Sequence, residues 1–286
     1  MFGFLNVYKP SGKTSHDIVA ILRRITKVKQ IGHTGTLDPF AEGVLPICIG
    51  KATRLIEYLN DDKAYIGTVQ FGSSTKTYDT EGEVVKTSEK KVTQEDVKEC
   101  LQYFCGEIEQ LPPIYSAIKL NGKKLYEYAR EGKEVKIEPR KVTIYELELI
   151  NFDSQKQQAE IKIVCSKGTY IRSIANDLGE KLETFGHLVK LVRIKAGDFY
   201  VENSNKLEEL DTVEKVLENL IYPTKKLNFI TYNLNNEEIK KISNGMSIIP
   251  TKKIVNSEFV TLMNDKTIAA IARFDGKYLK CEKVFV

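Results

Sequence analysis

No Cys-x-x-Cys pair occurs among the five cysteines (Cys48, Cys100, Cys105, Cys165, Cys281), and the three histidines (His16, His33, His187) stand far apart in the chain. The usual ligand spacings of a structural zinc site are therefore missing, and no metal is expected. An odd, scattered set of cysteines fits reduced, mostly buried thiols, which predicts a cytoplasmic protein. The stretch from Met1 to Pro10 lacks the basic start and long apolar run of a signal peptide. No apolar run approaches the roughly 18 residues of a membrane span, so no membrane partner is expected. A strong excess of one charge is missing too. Lys and Arg number 43 against 39 Asp and Glu, a net charge of +4. Average charge does not assign a nucleic-acid partner; the local distribution must carry that reading.

The 286 residues suit one large domain, or one domain with a smaller one beside it. A hydrophobic content of 42% is enough for a real core, and 29% charged residues of both signs argue against disorder. Phe2 to Tyr8 reads as a strand. Ser15 is expected to cap a helix over about 16–26 whose apolar face is Ile18, Val19, Ile21, Leu22 and Ile25. Arg23, Arg24, Lys27 and Lys29 gather at its basic end. A Gly-rich loop, 32–43, runs into the apolar stretch Val44–Ile49, and a helix is expected over 51–60. Residues 64–71 alternate as a strand, and Asp79-Thr-Glu-Gly82 reads as a turn. Thr93 with Asp96 marks a capped helix over 93–104. Strands are expected near 141–152, 159–165 and 188–195, with a helix from about Lys167 to Leu182. The acidic stretch 201–220 reads as a surface helix. From about Leu227 onward, short β segments (247–249, 258–263, 267–273, 277–285) with turns at Asn244-Gly245 and Asp275-Gly276 predict a small β-rich domain.

Segment 112–141 is unusual in its local charge. It carries Lys119, Lys123, Lys124, Arg130, Lys133, Lys136, Arg140 and Lys141 against Glu127, Glu131, Glu134 and Glu138, interleaved with Tyr115, Tyr126 and Tyr128. Cations for phosphates and rings for stacking are what an RNA-contacting loop needs. An ordinary solvated hairpin and helix would look the same. Gly12-Lys13-Thr14 imitates a phosphate loop, but the glycine required five residues earlier is Val7, so the backbone cradle is not specified.

In the stretch Gly32-His-Thr-Gly-Thr-Leu-Asp38-Pro, the glycines allow tight backbone paths. Pro39 holds the residue before it extended. Asp38 thus stands on a stiff loop. A Leu-Asp-Pro taken alone closes a turn as readily as it serves chemistry.

Several segments together give a sharper reading. GHTGTLDPFAEGVLPICIGKATR closely resembles the nucleophile motif of the TruB family of tRNA pseudouridine synthases. NVYKPSGKTSHD, LNDDKAYIGTVQFG, IYSAIKLNGKKLYEYAREG and CSKGTYIRSIANDLGEKL resemble the family's other motifs, in order, over about residues 3–195. The resemblance implies an α/β (α+β) pseudouridine synthase fold around a largely antiparallel sheet, with residues 1–222 as catalytic domain. It implies that about 114–141 is an RNA-clamping loop and that 227–286 is a small β-rich, PUA-like RNA-binding domain.

The implied reaction is isomerisation of uridine 55 in the TΨC arm of tRNA after the base is flipped out, with no cofactor. Asp38 would be the nucleophile. Arg172 would hold its charge, and Tyr65 would stack on the base and accept a ribose C2′ proton in a glycal-type route. Tyr170 and Leu191 would wall the uracil pocket, Lys9 would support the loop, and His33 would fill space among flipped nucleotides. Lys119, Lys123, Lys124 and Arg130 would contact RNA. The partner implied is tRNA, through its TΨC arm and acceptor stem, with the enzyme a monomer needing no protein partner. Two other readings stay open: a tRNA-folding chaperone on the same fold, and the guide-RNA-dependent relatives. The intact set Asp38, Tyr65 and Arg172 disfavours the first, and the short C-terminal region disfavours the second. Val192-Arg193 departs from the family, where two basic residues commonly follow the leucine.

Overall fold

Nine strands pair into one large sheet in a computed structural model that describes residues 1–133, 135–254 and 258–286. Glu134, counted above among the acids of 112–141, and residues 255–257 of the C-terminal segment lie outside the described residues. Strand β1 (Gly3–Lys9) leads to helix α1 (Ser15–Thr26), and the chain returns through β2 (Ile31–His33) and β3 (Glu42–Ile49). β4 (Lys63–Phe71) is followed by the hairpin β5 (Ser73–Thr75) and β6 (Val84–Thr87), helix α2 (Gln94–Leu101) and β7 (Gly106–Gln110). The small hairpin β8 (Lys119–Leu120) and β9 (Lys123–Lys124) runs into α3 (Leu125–Arg130). The long pair β10 (Arg140–Asp153) and β11 (Gln158–Cys165) precedes α4 (Ile171–Lys181), β12 (Gly186–Ala196), β13 (Phe199–Tyr200) and α5 (Val213–Glu218). The C-terminal part holds β14 (Ile230–Asn233), α6 (Asn236–Ser243), β15 (Phe259–Asn264), β16 (Thr267–Phe274) and β17 (Leu279–Val284).

The nine-stranded sheet has the order β1-β3-β12-β4-β11-β10-β7, with β2 on β3 and β13 on β12. Its described pairings are antiparallel except β12 with β3, where Val192 faces Glu42 and Arg193 faces Gly43. β12 is therefore the seam joining the N-terminal strands to the rest of the sheet. Burial along β11 alternates strictly, and one face of the sheet packs under α2 and α4 through Val69, Phe71, Ile161, Ile163, Ile174 and Leu178. At the other end, Ile18, Val19 and Leu22 of α1 meet Leu5, Val7, Leu45, Ile47 and Ile49 of β1 and β3. The four-stranded C-terminal sheet, β14-β15-β16-β17, has its own core but also shares one with the larger sheet. Met263, Ile268, Ile271 and Phe285 pack there with Phe4, Val44 and Ala196.

Several expectations need correction. Thr14, not Ser15, caps α1: its hydroxyl accepts from the Asp17 amide, and the Asp17 carboxylate accepts from the Thr14 amide. The helix expected over 51–60 is present over residues 50–58, as a 3-10 helix. The stretch 201–220 is broken into two 3-10 turns and the short α5. Its acids face water, but Leu210 and Val216 are fully buried against the α1 side of the sheet. Segment 247–249 is no strand; it makes a single bridge from Ile248 to Leu279. Helix α6 was not among the expected elements, although Asn235 and Glu238 form a complete capping box.

Candidate active site

The loop between β2 and β3 carries Asp38, and polar groups from four elements hold its backbone. Ser15 Oγ accepts from the Leu37 amide at 2.8 Å and donates to the Leu37 carbonyl at 3.1 Å. The Pro39 carbonyl accepts from the Gly12 amide at 2.8 Å and from Lys9 Nζ at 3.2 Å. Ser11 Oγ donates to the Phe40 carbonyl. On the other side, Arg193 donates to the Gly35 carbonyl at 3.1 Å and the Thr36 carbonyl at 3.3 Å. The Gly12-Lys13-Thr14 stretch thus closes over the loop instead of cradling a phosphate, and Lys9 Nζ also donates to the Lys13 carbonyl at 2.6 Å. Lys9 is wholly buried, so losing any of these acceptors would strand a charge in the interior.

Arg172, in the first turn of α4, meets the Asp38 side chain at two points. Nε lies 2.9 Å from Oδ2, and Nη2 donates to Oδ1 at 3.2 Å. The Nη2 hydrogen bond holds the carboxylate in place, and the Nε approach adds a close ion-pair contact outside hydrogen-bond geometry. The same guanidinium reaches three more acceptors: Asp79 Oδ2 at 3.3 Å, the Thr77 carbonyl at 3.0 Å and the Tyr115 carbonyl at 3.0 Å. One buried cation therefore ties together the loop, the turn after β5 and the start of the 114–141 segment. The α4 N-terminus is itself held in place: the Gln110 side chain accepts from the Tyr170 amide at 2.7 Å and donates to its carbonyl at 3.1 Å.

Asp38 opens onto a cavity of about 290 Å³ walled by Tyr65, Leu191, Tyr170, Ile171 and Ser116, with Lys63 and Lys167 also on its lining. One third of the Asp38 side chain is exposed there. Dense packing on its other sides still desolvates the carboxyl and pushes its pKa above the ordinary carboxylate value, against the pull of Arg172. Burial pushes the Tyr65 phenol up to about 12, so it is neutral at neutral pH. Burial also brings Lys9 down to about 8. The arrangement offers an oriented carboxylate at the bottom of a pocket with aromatic and aliphatic walls, suited to nucleophilic chemistry on a flat ring.

Of the residues picked out in the sequence, the fold brings Asp38, Arg172, Tyr65, Tyr170 and Leu191 to this one cavity. Lys9 lies behind it, bracing the loop. His33, at the end of β2, is half-buried and does not line it. Lys119, Lys123, Lys124 and Arg130 stand apart on the hairpin and α3. Three residues of the site were passed over. Asp79 read as a turn acid, yet it is 1% exposed and paired with Arg172. Ser15 read as a helix cap. Arg193 read only as part of a departure from a basic pair, yet it is the largest fully buried side chain among the described residues. A charged residue inside the apolar alternation of β12 was the available signal. Among the described residues no cluster of three or more His, Cys, Asp or Glu is placed to hold a metal ion, and no helix is long and apolar enough to cross a membrane.

Comparison with known proteins agrees with this geometry. Residues 23–171 match the TruB family pseudouridylate synthase N-terminal domain, and residues 172–227 match the tRNA pseudouridylate synthase B C-terminal domain. The two matches meet at the start of α4. A tRNA pseudouridine synthase B from Caldanaerobacter subterraneus is 43% identical over 289 residues, covering 99% of each chain. One from Clostridium perfringens is 39% identical over 100% of this chain and 99% of its own. The fold is also that of a solved Cbf5-Nop10-Gar1 complex chain, at a TM-score of 0.72 and 23% identity, covering 100% of this chain and 85% of that one. A chain of an H/ACA RNP bound to a substrate RNA containing 2′-deoxyuridine gives 0.71 at 22% identity, with the same coverage. The ordered motifs and the relatives aligned over the full length establish that this chain belongs to the TruB family of pseudouridylate synthases.

Proposed function

We propose that this pseudouridine synthase isomerises uridine 55 in the TΨC arm of tRNA, with Asp38 as the nucleophile. The C1′–N1 bond breaks, the base turns over, and C1′ rejoins C5, whose proton is released while N1 gains one. Atoms and charge balance without a cofactor. The single observation carrying this reading is the two-point contact of Arg172 with Asp38 at the bottom of a cavity walled by Tyr65, Tyr170 and Leu191.

A uridine inside a folded arm must be extruded to reach that cavity. Asp38, oriented by Arg172, then forms the covalent intermediate. Tyr65 stacks on the base; its neutral phenol favours that role over proton acceptance. His33 borders the loop and contacts the nucleotides left behind. Lys119, Lys123, Lys124 and Arg130, on a hairpin whose root is bonded to Arg172 through the Tyr115 carbonyl, grip the arm. We assign residues 1–222 to catalysis and the C-terminal sheet, within 227–286, to a PUA-like contact with the acceptor stem, and we expect the chain to work as a monomer in the cytoplasm.

The test is incubation with unmodified tRNA transcript and mapping of pseudouridine. Product at the TΨC uridine is expected. Product elsewhere only would reject the assigned position, and wild-type yield from Asp38→Asn would reject the nucleophile.

A further inference from the structure

Arg193 is a buried arginine without a carboxylate partner. It is 1% exposed, and none of the ion pairs among the described residues includes it. Three of its donor atoms reach backbone carbonyls, Nε to Val44 at 2.7 Å, Nη1 to Thr36 at 3.3 Å and Nη2 to Gly35 at 3.1 Å, and the side chain also contacts the Tyr65 phenol. A buried guanidinium is costly unless its donors are satisfied, so this position strongly constrains where those carbonyls stand. Two of them lie in the Asp38 loop. The third lies on β3, just across the seam.

The seam has been shaped around this side chain's backbone. Arg193 faces Gly43 in the parallel pair and Tyr65 in the antiparallel pair with β4. Gly43 has φ +107°, and a Cβ there would stand 2.3 Å from the Arg193 carbonyl oxygen. Only glycine allows that approach. Leu191, two residues earlier on β12, lines the same cavity as Tyr65 and Arg193. One strand therefore supplies both a wall of the pocket and the clamp on the loop that carries the reacting carboxylate.

We propose that Arg193 is a positioning residue for the isomerisation: through the Gly35 and Thr36 carbonyls it sets where Asp38 stands relative to the base held against Tyr65 and Leu191. It works opposite Lys9. Lys9 draws on the Pro39 carbonyl from one side of Asp38, and Arg193 draws on residues 35 and 36 from the other. Misplacing a nucleophile by about an ångström can cost on the order of 100-fold in rate. The inference rests on Asp38 being the nucleophile.

The two cations also feel each other. Lys9 faces Asp38 and Glu42, which favour its charge, and Arg193, which opposes it, with Glu81 of the 77–83 turn adding a favourable contribution. Removing the charge at 193 moves the Lys9 titration upward; a lysine at 193 leaves it near its original place.

The experiment compares wild type, Arg193→Met and Arg193→Lys in single-turnover pseudouridine formation on unmodified tRNA transcript. tRNA binding, the pH–rate profile and hydrogen exchange of the 34–38 amides are measured alongside. For Arg193→Met the expected result is a rate loss on the order of 100-fold, tRNA affinity within about twofold of wild type, and faster exchange at 34–38. Its alkaline limb should also move to higher pH. Arg193→Lys should lose on the order of tenfold and keep the wild-type limb, which a purely structural role would not separate. If Arg193→Met does not fold, Arg193→Lys carries the test through its rate and exchange. A wild-type rate in either folded variant, unchanged exchange at 34–38, or a loss confined to tRNA affinity would overturn the proposal. Failure of the underlying reading looks different: Asp38→Asn would then keep the wild-type rate.

Discussion

Two loops of this enzyme carry its most telling residues, and they treat positive charge in opposite ways. Around Asp38, Lys9 and Arg193 are buried and their donors end on backbone carbonyls. In the 114–141 segment, the cations are at the surface and paired with neighbouring acids or rings. Lys123 and Lys133 both meet Glu131, and Lys136 meets Glu138. Lys124 and Arg130 lie over Tyr126, and Lys123 over Tyr128. Buried cations with fixed acceptors hold one geometry. Exposed ones in water trade partners at a cost of roughly 1 kcal/mol or less, so RNA phosphates can displace the acids. On the proposed clamping role, the first loop is expected to be rigid before substrate arrives and the second to be remodelled by it.

The largest test of that contrast is Asp38→Asn. It should reduce pseudouridine formation by at least about 10⁴-fold while tRNA binding persists, because the clamp does not depend on the carboxylate. Parallel loss of binding and rate would show that the two loops are not separable.

Arg172→Met comes next. It leaves Asp38 and Asp79 facing a buried gap without their shared cation. Breaking a buried pair costs roughly 3–5 kcal/mol. The melting temperature should fall by on the order of 10 °C, with a rate loss of about 100-fold or more in the folded fraction. A stable, active variant would mean that the rigidity lies elsewhere.

pH sharpens the comparison further. Burial raises the Asp38 pKa, so the acid limb of the rate should lie above the ordinary carboxylate value of about 4. Lys9 is lowered to about 8, mainly by burial, so the alkaline limb should lie near there as its grip on Pro39 weakens. Stability runs the other way. In the folded state Lys9 gives up its proton before the unfolded chain does. Its contribution therefore rises with pH from about 8 toward the unfolded value near 10. Rate profiles and urea melts at neutral and alkaline pH would show the two trends diverging; a flat rate between pH 7 and 9 would count against the role of Lys9.

The smallest effect belongs to the clamp. Replacing Lys123 and Lys124 by Ala should weaken tRNA binding and make its salt dependence shallower, by a slope of about 1 to 2, with little change in the rate at saturation. An unchanged slope would remove these lysines from the RNA surface.

Much of this protein was legible in residue order. Strict alternation in β11, and alternation over residues 65–71 of β4, made strands that had to lie half-buried, and Thr93 with Asp96 set the start of α2. The motifs singled out Asp38, Tyr65 and Arg172, and the fold brings these three side chains to one cavity, where the proposed roles of nucleophile, stacking ring and counter-charge would be met. Other roles were not legible. Asp79 sits in a stretch that spells a turn, Ser15 in one that spells a helix cap, and Leu210 and Val216 in one that spells a solvated surface. Sequence patterns report local periodicity, and each of these residues owes its role to a partner far along the chain.

Sequence alone thus determined most of the longer strands and picked out Asp38, Tyr65 and Arg172 together, since alternation and motif are properties of near neighbours. Only the tertiary structure decided how Asp38 is held. Its loop is fixed by groups from residues 9, 15, 172 and 193, and a buried cation can satisfy distant carbonyls only once the sheet has brought β12 beside β3.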